Sequence, residues 1–560
     1  MIGLDGSMRQ EQMRTTLKER YFKRIADAIL TASVHVDAFL AAPRAYLTAT
    51  KWWILRKRVR ARGQFAVLLS RSPRAYMLWA LRAERGGVLA SAADVSPPIV
   101  ALIDIRGNVT ARDPQRQLDL TINSLLADGV AAILVGSPET PDLAAVRAAI
   151  NWSGGAWLMP VASGDRIAPG TADAYRAAMP AKSTGAYLLY ADDDGIERSD
   201  RRNNPYFKPD WNAELFRHHD YLTGSCLLQA DCADWDRLKD TQDWPAQLTR
   251  RIIEAGAVPQ HVRQILHHRR HRPVPRVPAQ TITIAADLPP LSVVVPTRNR
   301  VDLLRTCING VVAADYPDLE VIIVDNDSDD PTTLAYLAGL DPARHRVLRH
   351  TGPFNYSTIN NRAVAQARGR LLCLLNNDIE TTDRTWLATL ATQALRPEVG
   401  AVGARLLYPD GRIQHAGVVI GVGNAAGHAH RCLRPDEDGY FHRHSLPQFT
   451  MAVTAACLVV AREKFLAVGG LNEVDFPVAF NDVDLCLRLN QRGWQSLYEP
   501  RATLIHHESV SRGLDQDPVG AARFAGELAA LQRLWKTNEI VDPFHHPHLS
   551  RASERFAVAL

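Results

Sequence analysis

The chain has 560 residues, too many for one ordinary domain and enough for two or three. Hydrophobic residues make up 46% and charged residues 22%, a globular balance that excludes a disordered chain. A net charge of +5 gives no case for a polyanion partner, and seven scattered cysteines without a Cys-x-x-Cys pair argue against a disulfide framework or structural zinc and fit a reducing cytosol.

The N-terminus, MIGLDGSMRQEQMRTTLKER, has no apolar core of a secretory signal. No uninterrupted apolar run of about 18 residues follows, so no membrane span is expected. Residues 1–96 read as mostly helical, with few turn signals before Arg85-Gly86-Gly87. Within them, KWWILRKRVRAR (51–62) has two readings. It is a basic, tryptophan-bearing patch suited to an anionic membrane surface, or a helix that packs Trp52 and Trp53 on its neighbour with solvated arginines; the second is expected.

Residues 97–272 alternate short apolar runs (IVALIDI, AAILVG, AWLMPVA, AYLLYA) with helix-like segments. Residues 273–290 carry five prolines and read as a linker, with HHRRHR (267–272) as its solvated edge. Residues 291–515 alternate strands and helices more clearly, and 516–560 hold an amphipathic helix over 518–537 and a tail. This alternation predicts an α/β protein with a parallel or mixed sheet. In such sheets ligands bind at the carboxyl ends of strands.

Those strand ends carry polar clusters. LSVVVPTRNR (291–300) is a buried strand followed by a polar turn. EVIIVDNDSDD (320–330) crowds Asp325, Asp327, Asp329 and Asp330 at a strand end, where they either meet hydroxyls, amides or cations or form a solvated turn. GRLLCLLNNDIE (369–380) ends in Asn376-Asn377-Asp378, a turn or a carboxylate placed for a divalent cation. Asn481-Asp482 precedes an amphipathic helix, which either residue suits as a cap. His506 and His507 follow the apolar Leu504-Ile505 and read as metal ligands or surface histidines.

Together these strings resemble glycosyltransferase family 2, of the GT-A fold, in the branch that makes bacterial polysaccharides and O-antigens. The matching segments are VVVPTRNR, VDNDSDD, NNDIE, HAGVVIG, TAACLVVAREKF, VGGLNE, FNDVDLCLRL and IHHESVSRG, spread over 291–515, and DPFHHPHLS (542–550) resembles the family's ending. The resemblance implies a nucleotide pocket lined by Thr297, Asn299, Asp325, Asp327 and Asn377. It implies Mg²⁺ or Mn²⁺ held by Asp378 and His506, with His507 open as an alternative, and Asp482 as the catalytic base. It further implies an inverting transfer from a UDP- or dTDP-sugar to a saccharide or lipid-linked acceptor in cell-envelope polysaccharide synthesis, in the cytoplasm or at the inner face of the plasma membrane, without nucleic acid. Two departures stand out: the family's Asp-x-Asp is Asn376-Asn377-Asp378 here, and its Glu-Asp is Asn481-Asp482.

Residues 97–272 resemble the same family weakly. Val135-Gly136-Ser137 stands where Asp325 would, Asp165 is the single acid behind Ser163-Gly164, and Asp243 is the nearest candidate base. The expectation is a degenerate GT-A-like module without catalysis, with Asp192, Asp193 and Asp194 solvated or structural. The competing reading of the whole chain is a non-catalytic protein that binds sugar nucleotides or saccharides. Retention of Asp325, Asp378, Asp482 and His506 speaks against it.

Overall fold

In Leu291–Thr297, Leu319–Asp325 and Leu371–Leu375 nearly every side chain is apolar and buried. Successive residues of a strand face opposite sides, so such runs need a sheet covered on both faces. A computed structural model, describing residues 4–84, 97–106, 113–180, 187–279, 281–507 and 518–560 (side chains from residue 21), contains that sheet. Val293, Val295, Val321, Ile323 and Cys373 pack into one core, and Val294, Ile322, Val324, Leu372 and Leu374 into a second on the other face. The Arg85-Gly86-Gly87 turn and the boundaries expected near 96 and 515 lie outside the described residues.

Four helices lead: α1 (Leu4–Ala41), α2 (Pro43–Ile54), α3 (Arg58–Ser70) and α4 (Ala75–Ala83). A first sheet follows, built from β1 (Ile99–Asp104), β2 (Ala131–Val135), β3 (Ala156–Ala162), β4 (Arg166–Ile167), β5 (Tyr187–Ile196), β6 (Arg202–Tyr206), β7 (Cys226–Ala230) and β8 (Gln260–Arg269). The second sheet comprises β9 (Leu291–Thr297), β10 (Leu319–Asp325), β11 (His345–Arg349), β12 (Leu371–Leu375), β13 (Ile379–Thr381), β14 (Val399–Leu407) and β15 (Ile413–His415). After a separate two-stranded ribbon, β16 (Val418–Ile420) with β17 (Ala426–His428), it is completed by β18 (Gln448–Thr450), β19 (Cys457–Ala461) and β20 (Gln495–His506).

The two sheets share one topology. The first runs β2-β1-β3-β7-β5-β8-β4, the second β11-β10-β9-β12-β19-β14-β20-β13. Matched strand by strand, each pairing also has the same sense. The β1 pairings with β2 and β3 are parallel, as are those of β9 with β10 and β12. The β3–β7 and β7–β5 pairs are antiparallel, like β12–β19 and β19–β14. The β5–β8 pair is parallel and β8–β4 antiparallel, like β14–β20 and β20–β13. Of the second sheet's strands, β11 and β18 lack a counterpart among the described residues of the first half.

The halves are joined through buried groups. Leu446 enters the first sheet's core. Asn212 donates Nδ2–H to the Phe449 carbonyl at 2.9 Å and accepts Phe449 N–H at Oδ1 at 3.1 Å. Arg396 pairs with Glu214 at 2.8 Å, and the rings of Tyr206 and Phe441 stack at 3.7 Å. The C-terminal tail returns to the first half, where the Pro543 carbonyl accepts Asp210 N–H at 2.7 Å.

Candidate active site

A cavity of about 830 Å³ opens at the carboxyl ends of β9 and β12. Its walls bring together Thr297, Asn299, Asn377, Asp378, Asp482 and His506, all singled out from sequence. The turn after β9 is tight: Asn299 and Arg300 both take left-handed backbone, with φ of 54° and 53°. Asparagine tolerates that region better than most residues. Its side chain is held in turn, with Oδ1 accepting from the N–H groups of Asp329 and Asp330, both at 3.0 Å. Asn377 donates to Thr297 Oγ1 at 3.0 Å, tying the two strand ends across the cavity floor.

Asp378 and His506, expected to hold a cation, stand together. Asp378 follows the end of β12, and His506 is the last residue of β20, opposite Ile379. His506 Nε2 lies 3.1 Å from Asp378 Oδ1. Its Nδ1 lies 2.7 Å from Gln414 Oε1, an atom that only accepts, so Nδ1 carries the proton. Nε2 then presents a lone pair, supported by Asn376 Nδ2–H at 3.3 Å. Asp378 Oδ1 is buried without a hydrogen-bond donor. Two acceptors this close need a cation or proton between or beside them. One carboxylate oxygen and one neutral imidazole nitrogen, oriented by an amide behind it, fit Mg²⁺ or Mn²⁺. His507 is elsewhere, with Nε2 2.9 Å from Glu380, and takes no part in the cavity.

Asp482 stands in the first turn of helix Asn481–Gln491. It is not the cap, because the cap position is Phe480, in left-handed backbone with no side-chain cap hydrogen bond. Instead Asp482 Oδ2 accepts Ala455 N–H at 3.0 Å and Oδ1 accepts Val483 N–H at 2.8 Å. Burial pushes its carboxyl above the usual aspartate range, partly offset by those N–H groups. Asp484, two residues on, is consumed by Arg488 at 2.7 Å and by Trp535 Nε1–H at 2.9 Å.

Asp325 and Asp327 do not line the cavity; Asn326 does. Arg349, at the end of β11, bridges both acids, and Asp325 Oδ1 also accepts Ser328 N–H at 3.0 Å. Both were expected to line the nucleotide pocket, but their carboxylates are turned onto a guanidinium. Conversely, Gln414, His428, Arg431 and Arg523 line the cavity and went unremarked in the sequence. Gln414 directly precedes the HAGVVIG string, which was the available signal.

The first sheet shows what becomes of the same positions without that chemistry. Asp165 precedes Arg166 as Asp378 precedes Ile379, and Arg166 pairs across with His268 as Ile379 does with His506. Acid and imidazole have parted, however. His268 Nδ1 lies 2.7 Å from Asp194, while Asp165 accepts Arg270 N–H at 2.7 Å and faces Arg269 Nε at 3.6 Å. At the helix start that corresponds to Asp482, Trp244 is wholly buried and donates its indole N–H to Asp104 at 2.9 Å. The candidate base, Asp243, is exposed and bonded to Thr241 and Gln247.

Asp192, Asp193 and Asp194 are structural and fully buried rather than solvated. Asp193 pairs with Lys208 at 2.8 Å and Arg272 at 2.5 Å, and Asp194 with Arg202 at 2.5 Å. Asp192, His261 and His546 bring three metal-type ligand atoms within 4.8 Å of one another; His261 is hydrogen-bonded to Asp192 Oδ1, while Asp192 Oδ2 and His546 Nε2 have no hydrogen-bond partner. His261 sits between Asp192 and Asp210, 3.0 Å from each, and these carboxylates outweigh burial to raise its pKa. His546 Nδ1 accepts His548 N–H at 3.1 Å, and its Nε2 lies 3.0 Å from Asp192 Oδ2.

The sequence comparisons agree with this architecture. Residues 292–421 match the model of Glycosyl transferase family 2. Protein y4gI of Sinorhizobium fredii is 36% identical over 422 residues, covering 67% of this chain and 46% of that one. The O-antigen biosynthesis protein RfbC of Myxococcus xanthus is 35% identical over 405 residues, 65% of this chain and 31% of that one. The N-acetylglucosaminyl-diphospho-decaprenol L-rhamnosyltransferase of Mycobacterium tuberculosis is 29% identical over 217 residues, 35% of this chain and 69% of that one. The chain thus spans less than half the length of the first two. Its second half is a GT-A α/β domain. Residues 292–421 within it carry the Glycosyl transferase family 2 match.

Proposed function

We propose that the chain transfers a sugar from a UDP- or dTDP-sugar to a hydroxyl of a saccharide or lipid-linked acceptor, with inversion, during cell-envelope polysaccharide synthesis in the cytoplasm. The observation that carries this reading is the convergence of Asp482 with the Asp378–His506 pair on one cavity. Asp378 and His506 would hold Mg²⁺ or Mn²⁺, which when bound neutralises the leaving diphosphate. Thr297, Asn299 and Asn377 would position the nucleotide, with Asn326 beside them and Asp325 and Asp327 acting through the loop they shape. Asp482 would accept the proton of the attacking hydroxyl; its raised pKa makes it a stronger base than an ordinary aspartate. A single in-line displacement needs no second carboxylate at the sugar, unlike a retaining glycosidase pair.

The first half would not catalyse. Its acid faces Arg269, and Trp244, at the start of the helix that matches Asn481–Gln491, is core and bonded to Asp104. The boundaries proposed for these parts are 97–272 for the degenerate module and 291–515 for the catalytic domain.

The test is a panel of UDP- and dTDP-sugars with Mn²⁺ or with chelator, reading nucleotide release and the anomeric configuration of product. Metal-dependent release from one donor with an inverted product is expected. Retention of configuration, or release that is indifferent to both metal and Asp482→Asn, would refute the mechanism.

A further inference from the structure

The tip of the α2–α3 hairpin does not pack on the rest of the protein. The turn passes through Arg56 in left-handed backbone, φ 57°. Around it Trp53 is 44% exposed, Ile54 72%, Leu55 53% and Val59 75%. Against the expectation that the Trp pair packs inward, Trp53 is exposed, while Trp52 is half-buried. Both indoles are instead covered by cations: Arg58 lies 3.9 Å from the Trp53 ring, and Lys57 and Arg60 lie 5.1 and 5.5 Å from Trp52. No Asp or Glu occurs between Asp37 and Glu84. The cations further from the tip do find acids, Arg74 pairing with Asp37 at 2.6 Å and Arg82 with Asp27 at 2.5 Å. The tip thus combines exposed aliphatic and indole side chains with Lys51, Arg56, Lys57, Arg58 and Arg60, and its own segment supplies no carboxylate.

We propose that this hairpin tip is a docking surface for an anionic lipid bilayer. The two halves of its chemistry select that partner together. A soluble polyanion would satisfy the cations but leave Ile54, Leu55 and Val59 in water. A neutral apolar groove would cover the aliphatics and leave five cations unmatched. At a bilayer surface the apolar side chains enter the acyl boundary while lysine and arginine reach up to phosphate, and indoles favour that interface. The inference goes beyond the transfer chemistry and does not depend on it.

The experiment is flotation of the full chain with vesicles of phosphatidylglycerol and phosphatidylethanolamine, and separately of phosphatidylcholine alone, at low and high salt. Flotation with the anionic vesicles only, weakened by salt, is expected. Each cation near such a surface contributes about fivefold to partitioning, so Arg56→Gln/Arg58→Gln should lower it about 25-fold. Trp53→Ser/Ile54→Ser/Leu55→Ser should abolish flotation at an unchanged thermal midpoint. Ile54→Gln alone, at the most exposed of the three, keeps the test open should the triple variant misfold. Failure to float, equal flotation with phosphatidylcholine, or wild-type flotation by the serine and glutamine variants overturns the proposal, and none of these results bears on sugar transfer.

Discussion

Gln414 holds the ring of His506: its Oε1 lies 2.7 Å from Nδ1, so that the opposite nitrogen faces Asp378 at 3.1 Å. Gln414→Ala should leave the ring free to turn and weaken Mn²⁺ binding about 10- to 100-fold, the usual cost of losing such support. Titration calorimetry with Mn²⁺ and UDP reads this without turnover. Asp378→Ala should abolish the metal-dependent part altogether. Unchanged Mn²⁺ affinity in Gln414→Ala would reduce that residue to packing.

Asp482→Asn should fold and bind donor but lose about 10²- to 10⁴-fold in rate, because an amide cannot take the proton. Its pH profile carries a second expectation. Burial raises the carboxyl above its ordinary value, so wild-type rate should fall as pH drops through that raised pKa, at a higher pH than for an exposed aspartate. Turnover at wild-type level in Asp482→Asn, assayed with the true acceptor, would end the assignment.

His546→Ala should destabilise the protein by about 3–5 kcal/mol, since it removes one partner of a buried charge. Chelators should leave the melting midpoint unchanged, because His261 is already engaged by both Asp192 and Asp210. A drop in midpoint on adding chelator, in the absence of nucleotide, would reassign this cluster to a metal.

A chain beginning at Pro289 should keep metal-dependent UDP binding, since the Asp378–His506 pair and Asp482 lie within it. It should also aggregate, because Leu446 and Phe441 lose the first half that covers them. Light scattering with and without Leu446→Gln separates the two effects. Donor binding confined to residues 1–275 would reverse the assignment of halves.

Acid should unfold the protein through its histidines. Burial lowers His219 and His444 to about 4 and His267 and His545 to about 3, with His415 and His430 also well below normal. Each contributes stability that is complete above the unfolded value near 6.5 and is lost as pH falls toward the folded one. Asp165 and Asp542, pushed up to about 6 by burial, act with the opposite sign, as does His261 with its raised pKa, but they are fewer. Denaturant midpoints should therefore fall steadily from neutral pH toward pH 4.

The strand ends were readable because the fold puts chemistry there, so a polar residue after a buried run is already located. That logic singled out Asp378 and His506, whereas Asp482, at a helix start, was marked by the family resemblance. It says nothing about which way a carboxylate turns, and Asp325 and Asp327 were captured by Arg349, a residue with no mark in the sequence. Gln414, His428 and Arg431 lie among short strands and irregular turns between Tyr408 and Leu446, where periodicity carries no signal. Asp192-Asp193-Asp194 read as a surface triplet because the cations that bury it, including Lys208, Arg269 and Arg272, come from other segments.

The path of the tail sets an order of assembly. Asp192, in the middle of β5, depends on His546 for one of its partners. A ribosome delivers β5 long before it delivers that histidine. The first sheet therefore emerges with an unfinished interior, and this buried contact waits until the segment carrying His546 has been made and has returned to the first half. Closing so distant a contact is slow. The first half is thus the half whose completion reports that the segment carrying His546 has been made.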